Sequence, residues 1–263
     1  MNRETPFVSF STQKGGMGKT SVTVLVSGYL HYVKRLRVAV IDCDYPQHSI
    51  VRERRRDSKL VMENDYFKRM AYGQFRNLGI KAYPVKESTA AEALHDADVL
   101  MEHAEKPFDL IFFDLPGTLN SEGVIKTLAA MDYIFTPISA DRLVLESTLQ
   151  YATMLSDHII SAGRGKLKGL YLFWNMVDGR EKTPLYQVYE GAIAELGLQI
   201  LKTSLPDSKR FRREMSIERR SVFRSTLFPP DRALLRDSNI EELSEEVCRI
   251  IKPEGHGKQE SGY

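Results

Sequence analysis

The chain has 263 residues, of which 42% are hydrophobic and 27% charged, and its formal net charge is only +2. This length can bury a sizeable core, and so weak a net charge excludes any inference about nucleic acid or membrane partners from overall charge alone. Cys43 and Cys248 lie far apart with no Cys/His spacing, which argues against a zinc or iron–sulfur site and suits a reducing compartment. No stretch approaches the roughly 18 apolar residues of a membrane span, so we expect a cytoplasmic protein.

Apolar runs with β-branched residues alternate with helical patterns along the chain. The predicted strands cover residues 7–11, 36–43, 79–85, 108–115, 133–138, 169–175 and 199–205. The predicted helices cover residues 21–34, 52–76, 90–104, 142–160, 184–196 and 240–251. This alternation predicts an α/β fold, with a doubly wound, mainly parallel sheet and helices on both faces. We expect a single domain over residues 1–252 and a polar, disordered tail over residues 253–263.

A glycine-rich segment follows the first predicted strand, where residues 13–21 read Gln-Lys-Gly-Gly-Met-Gly-Lys-Thr-Ser. Glycines let backbone amides close on a polyphosphate, and the start of the next helix adds partial positive charge. Lys19 is placed to reach the β- and γ-phosphates, and the Thr20 hydroxyl to reach Mg²⁺. The segment departs from the ordinary G-x-x-x-x-G-K-[ST] pattern, because Gln13 occupies the first glycine position and is followed by a second lysine, Lys14. The loop residues predicted to bind ATP are Gly15, Gly16, Met17, Gly18, Lys19, Thr20 and Ser21.

With this second lysine the loop resembles the deviant Walker A motif of the ParA/MinD family of P-loop ATPases, closest to ParA-type DNA-partitioning ATPases. The resemblance implies a domain that binds ATP with Mg²⁺ and dimerises around the nucleotide. It also implies that Lys14 reaches the partner's nucleotide, which gives Lys14 a catalytic role beside Lys19. The resemblance is specific through residue 50 and recurs over residues 108–117, whereas residues 52–105 and those beyond 215 do not align closely.

Carboxylates follow two of the predicted strands, as Asp42-Cys-Asp44 and as Asp114-Leu-Pro-Gly. The carboxyl ends of parallel strands line one crevice, and carboxylates that converge there need a cation such as Mg²⁺. By the family resemblance Asp44 orients or activates the attacking water, Asp114 is the Walker B residue, and Asp42 lies near the metal, so that Thr20, Asp42 and Asp114 form the predicted metal site. Asp42 and Asp44 also suit turn or helix-capping chemistry. The family has Asp-x-Asp-Pro-Gln here, and the inserted Tyr45 leads us to expect slow, partner-stimulated hydrolysis.

Two later segments resemble the part of the family that borders the base. Asn175 ends a predicted strand where family members carry an adenine-contacting asparagine. Pro206 and Asp207 follow a strand end in the segment Ser-Leu-Pro-Asp. The resemblance therefore implies that Asn175, Pro206 and Asp207 contact ATP. An asparagine at a strand end is also an ordinary turn residue.

Basic charge is concentrated in residues 202–236, which hold ten Lys or Arg against four acids, a net charge of +6. ParA-type ATPases bind DNA non-specifically through basic residues in this part of the chain, and a solvated face with Arg–Glu pairs is the alternative. A second cluster, with arginines at 52, 54, 55 and 56, is expected to form a surface helix. The predicted DNA-binding residues are Arg210, Arg212, Arg213, Arg219 and Arg220.

These features predict a ParA-like ATPase that segregates or positions a plasmid, chromosome or mobile element. We expect it to work with a centromere-binding or adaptor protein, without a membrane partner, and in association with the nucleoid. A MinD-like positioning ATPase and a protein-partner ATPase without DNA binding are the alternatives. A MinD-like membrane helix is basic, whereas residues 240–251 carry four glutamates. The loop begins at residue 14, which leaves no room before it for a helix-turn-helix domain, so we do not expect sequence-specific operator binding.

Overall fold

Seven parallel strands form the central sheet of the computed structural model, which describes residues 5–118, 121–157, 166–180 and 183–251. The strands are β1 Phe7–Phe10, β2 Val38–Asp42, β3 Val85–Glu87, β4 Leu110–Asp114, β5 Tyr133–Ile138, β6 Gly169–Trp174 and β7 Gln199–Ile200. Their order across the sheet is β3-β2-β4-β1-β5-β6-β7, and every pairing is parallel. The predicted α/β fold with a doubly wound parallel sheet is confirmed.

Helices cover both faces of this sheet. The helices are α1 Lys19–Gly28 with a π-helical continuation Tyr29–Val33, α2 Ser49–Glu63, α3 Asp65–Leu78, α4 Ala93–Glu102, α5 Glu122–Ala129, α6 Arg142–Leu155, α7 Thr183–Glu195, α8 Arg232–Leu235 and α9 Ile240–Ile251. One core packs α1 and α9 on one face, and a second core packs α4 to α7 on the other. Strand residues alternate between the two cores, as Phe112 and Phe113 do. Among the described helices, none is long and apolar enough to cross a bilayer.

The position of β1 in the sheet creates the crevice for a ligand. β1 lies between β4 and β5, so its carboxyl end opens where the chain's connections diverge to the two halves of the sheet. Ligands of doubly wound sheets bind at such a point. The glycine-rich loop joins the end of β1 to the start of α1 and therefore occupies this crevice.

The predicted elements between residues 52 and 85 required correction. The single predicted helix over 52–76 is two helices, because the Asn64 side chain accepts the amides of Tyr66 and Phe67 and starts α3. The prediction of a strand over 79–85 is wrong, because Gly79 ends α3 in a left-handed conformation and the chain reaches the sheet only at Val85.

Other boundaries moved at the far edge of the sheet and around α5. β7 is shorter than the predicted strand over 199–205, because the amides of Lys202 and Thr203 donate to the Glu246 carboxylate instead of continuing the ladder. Helix α5 was not predicted, although Ser121 caps it by accepting the amide of Val124. The single-domain prediction stays a prediction, and the expected tail at 253–263 lies outside the described residues.

Candidate functional site

The loop between β1 and α1 takes a conformation that only glycine adopts without strain. Gly16 and Gly18 have φ values of +77° and +76°, and Gly18 forms the N-terminal boundary of α1. Lys14 is exposed at the head of the loop. Met17 is only 4% exposed, so that only its backbone is available to a ligand. The loop thus presents backbone amides and Lys19 to the crevice, as an anion site requires.

The Lys19 ammonium lies between the glycine-rich loop and the segment after β4. Its Nζ is 3.5 Å from the Lys14 carbonyl oxygen. A Cβ added to Gly117 would lie 2.9 Å from Lys19 Nζ, so the glycine makes room for the lysine. Burial lowers the pKa of Lys19, and the Asp114 and Asp44 carboxylates oppose the shift. The lysine is therefore held as a partly desolvated cation, which strengthens its attraction for phosphate.

Asp114 at the end of β4 supplies a buried carboxylate beside this lysine. Its Oδ2 accepts the Thr20 hydroxyl at 2.9 Å, while its Oδ1 is buried and lacks a hydrogen-bond partner among the described residues. Burial and the nearby Asp42 carboxylate raise the pKa of Asp114 to about 7. No cluster of three metal-binding side chains forms within the described ranges. Thr20 and Asp114 therefore fit Mg²⁺ of the kind that takes its remaining ligands from substrate phosphates.

Asp42, predicted to lie near the metal, caps the N-terminal end of α2. Its Oδ2 accepts the amides of Ile50 and Val51 at 3.0 and 2.9 Å. His48 precedes the helix with φ +41° and turns the chain so that these amides face the carboxylate. This geometry favours the helix-capping role over a metal contact for Asp42.

Asp44 faces the glycine-rich loop across the crevice. It lines a cleft of about 470 Å³ together with residues 15–21 of the loop, Gln13, Gly117 and Thr118. The inserted Tyr45 is 68% exposed, and its ring lies against His48 at 5.8 Å. The turn holds its shape through His48, whose amide donates to the Asp44 carbonyl oxygen at 2.8 Å. The insertion thus projects outward and leaves Asp44 at the cleft.

A cavity of about 290 Å³ adjoins the loop on the side of β6. Asn175, which was predicted to contact the base, is only 6% exposed there. Its Nδ2 donates to the Met17 carbonyl oxygen at 2.9 Å, and its Oδ1 accepts the Met176 amide. The side chain therefore bonds the glycine-rich loop to the end of β6. The cavity brings the predicted base residues together with the loop; its lining is Gly16, Gly18, Ser21, Val22, Asn175, Met176, Pro206, Asp207, Ser208, Phe211 and Arg212.

A family model described as ATPase MipZ matches residues 6–147, which is more than half of the chain. The chain belongs to the MipZ ATPase family. The match takes in the glycine-rich loop, the aspartates after β2 and Asp114, and it confirms the predicted membership of the wider ParA/MinD group of ATP hydrolases. No curated protein matched the chain in sequence.

Solved structures similar to this MipZ-family ATPase share its fold at low sequence identity. A Borrelia burgdorferi B31 protein assigned to plasmid partition and bound to AMPPNP has a TM-score of 0.59 and 14% identity, over 94% of this chain and 100% of its own. The pNOB8 ParA bound to nonspecific DNA has a TM-score of 0.57 and 15% identity, over 95% of this chain and 99% of its own. MinD from Aquifex aeolicus has a TM-score of 0.52 and 15% identity, over 92% of this chain and 97% of its own. At such identities the likeness establishes the fold alone.

The predicted DNA-binding arginines of this MipZ-family ATPase lie in and around residues 209–220, here called the basic loop. Arg212 and Arg213 are exposed, and neither has a carboxylate partner within the described residues. Arg219 is likewise exposed, at the tip of a hairpin formed by Met215–Ser216 (β8) and Ser221–Val222 (β9). Arg210 instead donates to the Arg236 carbonyl oxygen, and Arg220 lies over the Tyr66 ring at 5.5 Å. Arg212, Arg213 and Arg219 are therefore the members most available to a ligand.

Several residues that shape the site carry no motif in the sequence. Arg224 was counted with the basic cluster, but it is largely buried, with its side chain 15% exposed, and is paired with Glu53 and Glu214. The cluster at residues 52–56 was expected to be a surface helix, yet Glu53 within it is 2% exposed and Arg54 is half-buried, bonded to Thr226. The sequence offered one signal of this burial. Glu53 and Asp57 lie four residues apart among the arginines, and therefore on one face of the helix.

Proposed function

We propose that this MipZ-family ATPase binds Mg²⁺–ATP, dimerises around it and then binds DNA non-specifically, in order to segregate or position a plasmid, chromosome or mobile element. The proposal rests most on one observation: exposed arginines without carboxylate partners in the described structure stand at the wall of the nucleotide cavity. Arg212 lines that cavity, and Arg213 follows it. Positive charge is thus available beside the nucleotide, where a bound ligand can affect its position.

The nucleotide chemistry follows from the residues around the crevice. Lys19 neutralises charge on the β- and γ-phosphates, and the loop amides after Gly15 cradle them. Thr20 and Asp114 hold the metal, which bridges phosphate oxygens and offsets the charge that develops on them. Asp44, at the cleft, orients the attacking water. Lys14 is exposed and free to reach a second copy's nucleotide, and hydrolysis is slow until a partner stimulates it.

The base occupies the cavity between the loop and β6. Pro206 and Phe211 supply its apolar walls, and Asp207 supplies a polar group at its rim. Asn175 acts there through the loop it holds, and it keeps one donor hydrogen and one acceptor lone pair to offer the base. Ser21 contributes at the junction of the base and phosphate sides.

DNA binding through the basic loop is electrostatic. Each arginine that meets a phosphate releases condensed counterion, so affinity falls steeply with salt and hardly depends on sequence. A symmetric dimer doubles the contacts on one surface, which links DNA affinity to ATP. The neighbour pNOB8 ParA, solved on nonspecific DNA, supports this use of the fold. The protein then acts in the cytoplasm on the nucleoid, with a centromere-binding or adaptor protein as its partner.

A MinD-like role at a membrane is the weaker alternative. Helix α9 turns its apolar residues, among them Ile240, Leu243 and Val247, into the core against α1. Its exposed side carries Glu241 and Glu242, and the Tyr29 hydroxyl lies within hydrogen-bond distance of Glu241 and Glu245. This helix therefore has no free apolar face and has the wrong charge for an anionic membrane. A positioning ATPase that engages only a protein partner is the second alternative, and the test below separates it.

The test measures retention on a random-sequence duplex, with ATP present, as salt is raised. Affinity should fall by roughly 10³ between about 50 and 200 mM salt if about six phosphates are contacted. Replacing both Arg212 and Arg213 by Glu should abolish retention, whereas a matched double change at Arg69 and Arg76, exposed on α3, should not. If the double variant at 212 and 213 binds like the unmodified protein, the basic loop is a solvated face. If the unmodified protein binds no DNA, the protein-partner alternative replaces the proposal.

A further inference from the structure

Arg224 is a largely buried arginine that joins three parts of the molecule. Its side chain is 15% exposed, and its Nε donates to both oxygens of Glu53 at 3.1 Å. Nη1 donates to the Ser21 hydroxyl at 2.7 Å and to the Phe211 carbonyl oxygen at 3.2 Å. Nη2 donates to Glu214 at 2.7 Å. One guanidinium thus connects α2, the first turn of α1 and the basic loop.

Anchoring the chain to α2 does not account for this arrangement, because the next two residues already do so. The Asp57 carboxylate accepts the hydroxyls of Ser225 and Thr226 and the Thr226 amide, at 2.7 to 3.0 Å. A buried ion pair adds little stability, since desolvation offsets the attraction. Burial raises the pKa of Glu53 to about 7 even though Arg224 opposes the shift, which shows how strongly the position disfavours charge.

The contacts of Arg224 that the anchor does not duplicate lead to the nucleotide site and to the basic loop. Ser21 lines both the phosphate cleft and the base cavity. Phe211, whose carbonyl oxygen Arg224 holds, lines the base cavity together with Arg212. Glu214, three residues further along the same basic loop, is held by Arg224 and by Arg56. The guanidinium therefore touches the nucleotide site through Ser21 and holds the basic loop at two points.

We propose that Arg224 is a positioning residue that couples occupancy of the nucleotide site to the position of the basic loop. ATP in the cavity fixes the first turn of α1 and the Phe211 wall, and Arg224 transmits that order to the loop. The planar fork matters, because a lysine in its place presents one nitrogen and cannot hold Ser21, Phe211 and the two glutamates together. The part of this inference that concerns DNA rests on the proposed function, whereas the ordering of the loop does not.

The experiment follows trypsin cleavage of the full chain within the basic loop, with and without saturating AMPPNP, by mass spectrometry. The exposed arginines at 212, 213, 219 and 220 supply the cleavage sites. In the unmodified protein the nucleotide should slow cleavage about tenfold, a typical size for coupling between two sites. Arg224→Lys should reduce that protection to about twofold or less, when each variant is measured at its own saturating nucleotide concentration.

Two further variants separate coupling from folding. Glu214→Ala removes a loop contact of Arg224 at a residue outside the nucleotide site, so nucleotide affinity should persist while protection is reduced. Ser225→Ala removes a hydrogen bond of the Asp57 anchor without touching Ser21, so it should lower the melting temperature and keep the protection. Equal loss of protection in Ser225→Ala and Arg224→Lys would mean that Arg224 is only structural.

The outcomes also separate this inference from the proposed function. Lack of nucleotide protection in the unmodified protein, or full protection in Arg224→Lys, overturns the coupling even if the protein binds DNA. Protection as expected together with no retention on any DNA supports the coupling and removes the DNA-binding proposal. If both hold, Arg224→Lys should reduce ATP-dependent DNA retention about tenfold, in parallel with its loss of protection.

Discussion

The glycine-rich loop and the basic loop both line the cavity of about 290 Å³ but are held by different kinds of contact. The cleft is built on the ends of parallel strands, where Gly16 and Gly18 set the backbone shape of the loop and the Asn175 side chain bonds to its backbone. The basic loop contains one short 3₁₀ turn, Lys209–Arg212, and a hairpin of two-residue strands, and side-chain ion pairs from Arg56 and Arg224 hold it. A backbone-built site keeps its shape when empty, whereas a segment held by side chains can respond to what binds beside it.

The largest effect should come from the cation inside the cleft. Lys19→Ala removes the charge that faces the β- and γ-phosphates and should lower ATP turnover by roughly 10²-fold or more. Steady-state phosphate release measures it. Lys34→Ala, which removes an exposed lysine paired with Glu245, is the control. A Lys19 variant with full turnover would place the nucleotide elsewhere and undo the contrast between the two regions.

Asp44 should separate binding from chemistry within the same cleft. Asp44→Ala should bind Mg²⁺–ATP like the unmodified protein but turn over at least about 10²-fold more slowly, because a group that orients water acts mainly in the transition state. Dimers should then accumulate with ATP in size-exclusion chromatography. Normal turnover would indicate that the outward Tyr45 turn does not aim Asp44 at the reaction.

The raised pKa of the buried Asp114 leads us to predict a pH dependence of Mg²⁺–ATP binding. Its folded pKa of about 7 lies above the ordinary value of 3.8, so the folded protein holds a proton there that Mg²⁺ must displace. Affinity for Mg²⁺–ATP should fall by up to about tenfold per pH unit below pH 7. Because the folded pKa is the higher one, protonation of Asp114 favours the nucleotide-free folded state. This contribution to the free energy of unfolding is fully present below the unfolded pKa and is lost as pH rises through about 7.

Calorimetric titration between pH 5.5 and 8 checks this dependence. Asp114→Asn provides the reference, because it retains the titration of the nucleotide's own phosphate and removes that of the carboxyl group. If the two proteins show the same pH profile, Asp114 binds no metal in the complex.

The smallest effect should come from Asp42, where the structure favours a cap over a metal ligand. Asp42→Asn keeps an acceptor for the amides of Ile50 and Val51 and should leave Mg²⁺–ATP affinity unchanged. Asp42→Ala should cost about 1–2 kcal/mol of unfolding free energy by leaving those amides without a cap. Urea unfolding measures the second change. A tenfold loss of Mg²⁺ affinity in Asp42→Asn would instead restore the metal role.

Sequence was a good guide where chemistry is local. The glycines, Lys19 and Thr20 form a contiguous motif between a strand and a helix, and long apolar runs such as 108–115 predict buried parallel strands. Helix α5 and the break at Asn64 depend on single capping residues within polar sequence, so the period of apolar residues did not reveal them.

Contacts between distant residues were the part that sequence could not supply. The partners of Arg224 lie at positions 21, 53, 211 and 214, and only the folded sheet brings them together, so an arginine in a basic run gave no sign of burial. The role of Asp42 likewise depends on the left-handed turn at His48, which aims α2 at the carboxylate.

We expect nucleotide in the cleft to govern what the basic loop can bind. The most direct measurement uses the Asp44→Ala protein with a labelled random-sequence duplex, and follows retention on DNA and mass together by light scattering, with ATP and then with ADP. With ATP we predict two protein copies in each complex and release from DNA as salt is raised. With ADP we predict monomers and free DNA. Equal retention with both nucleotides, or no retention with ATP even at low salt, would contradict the claim.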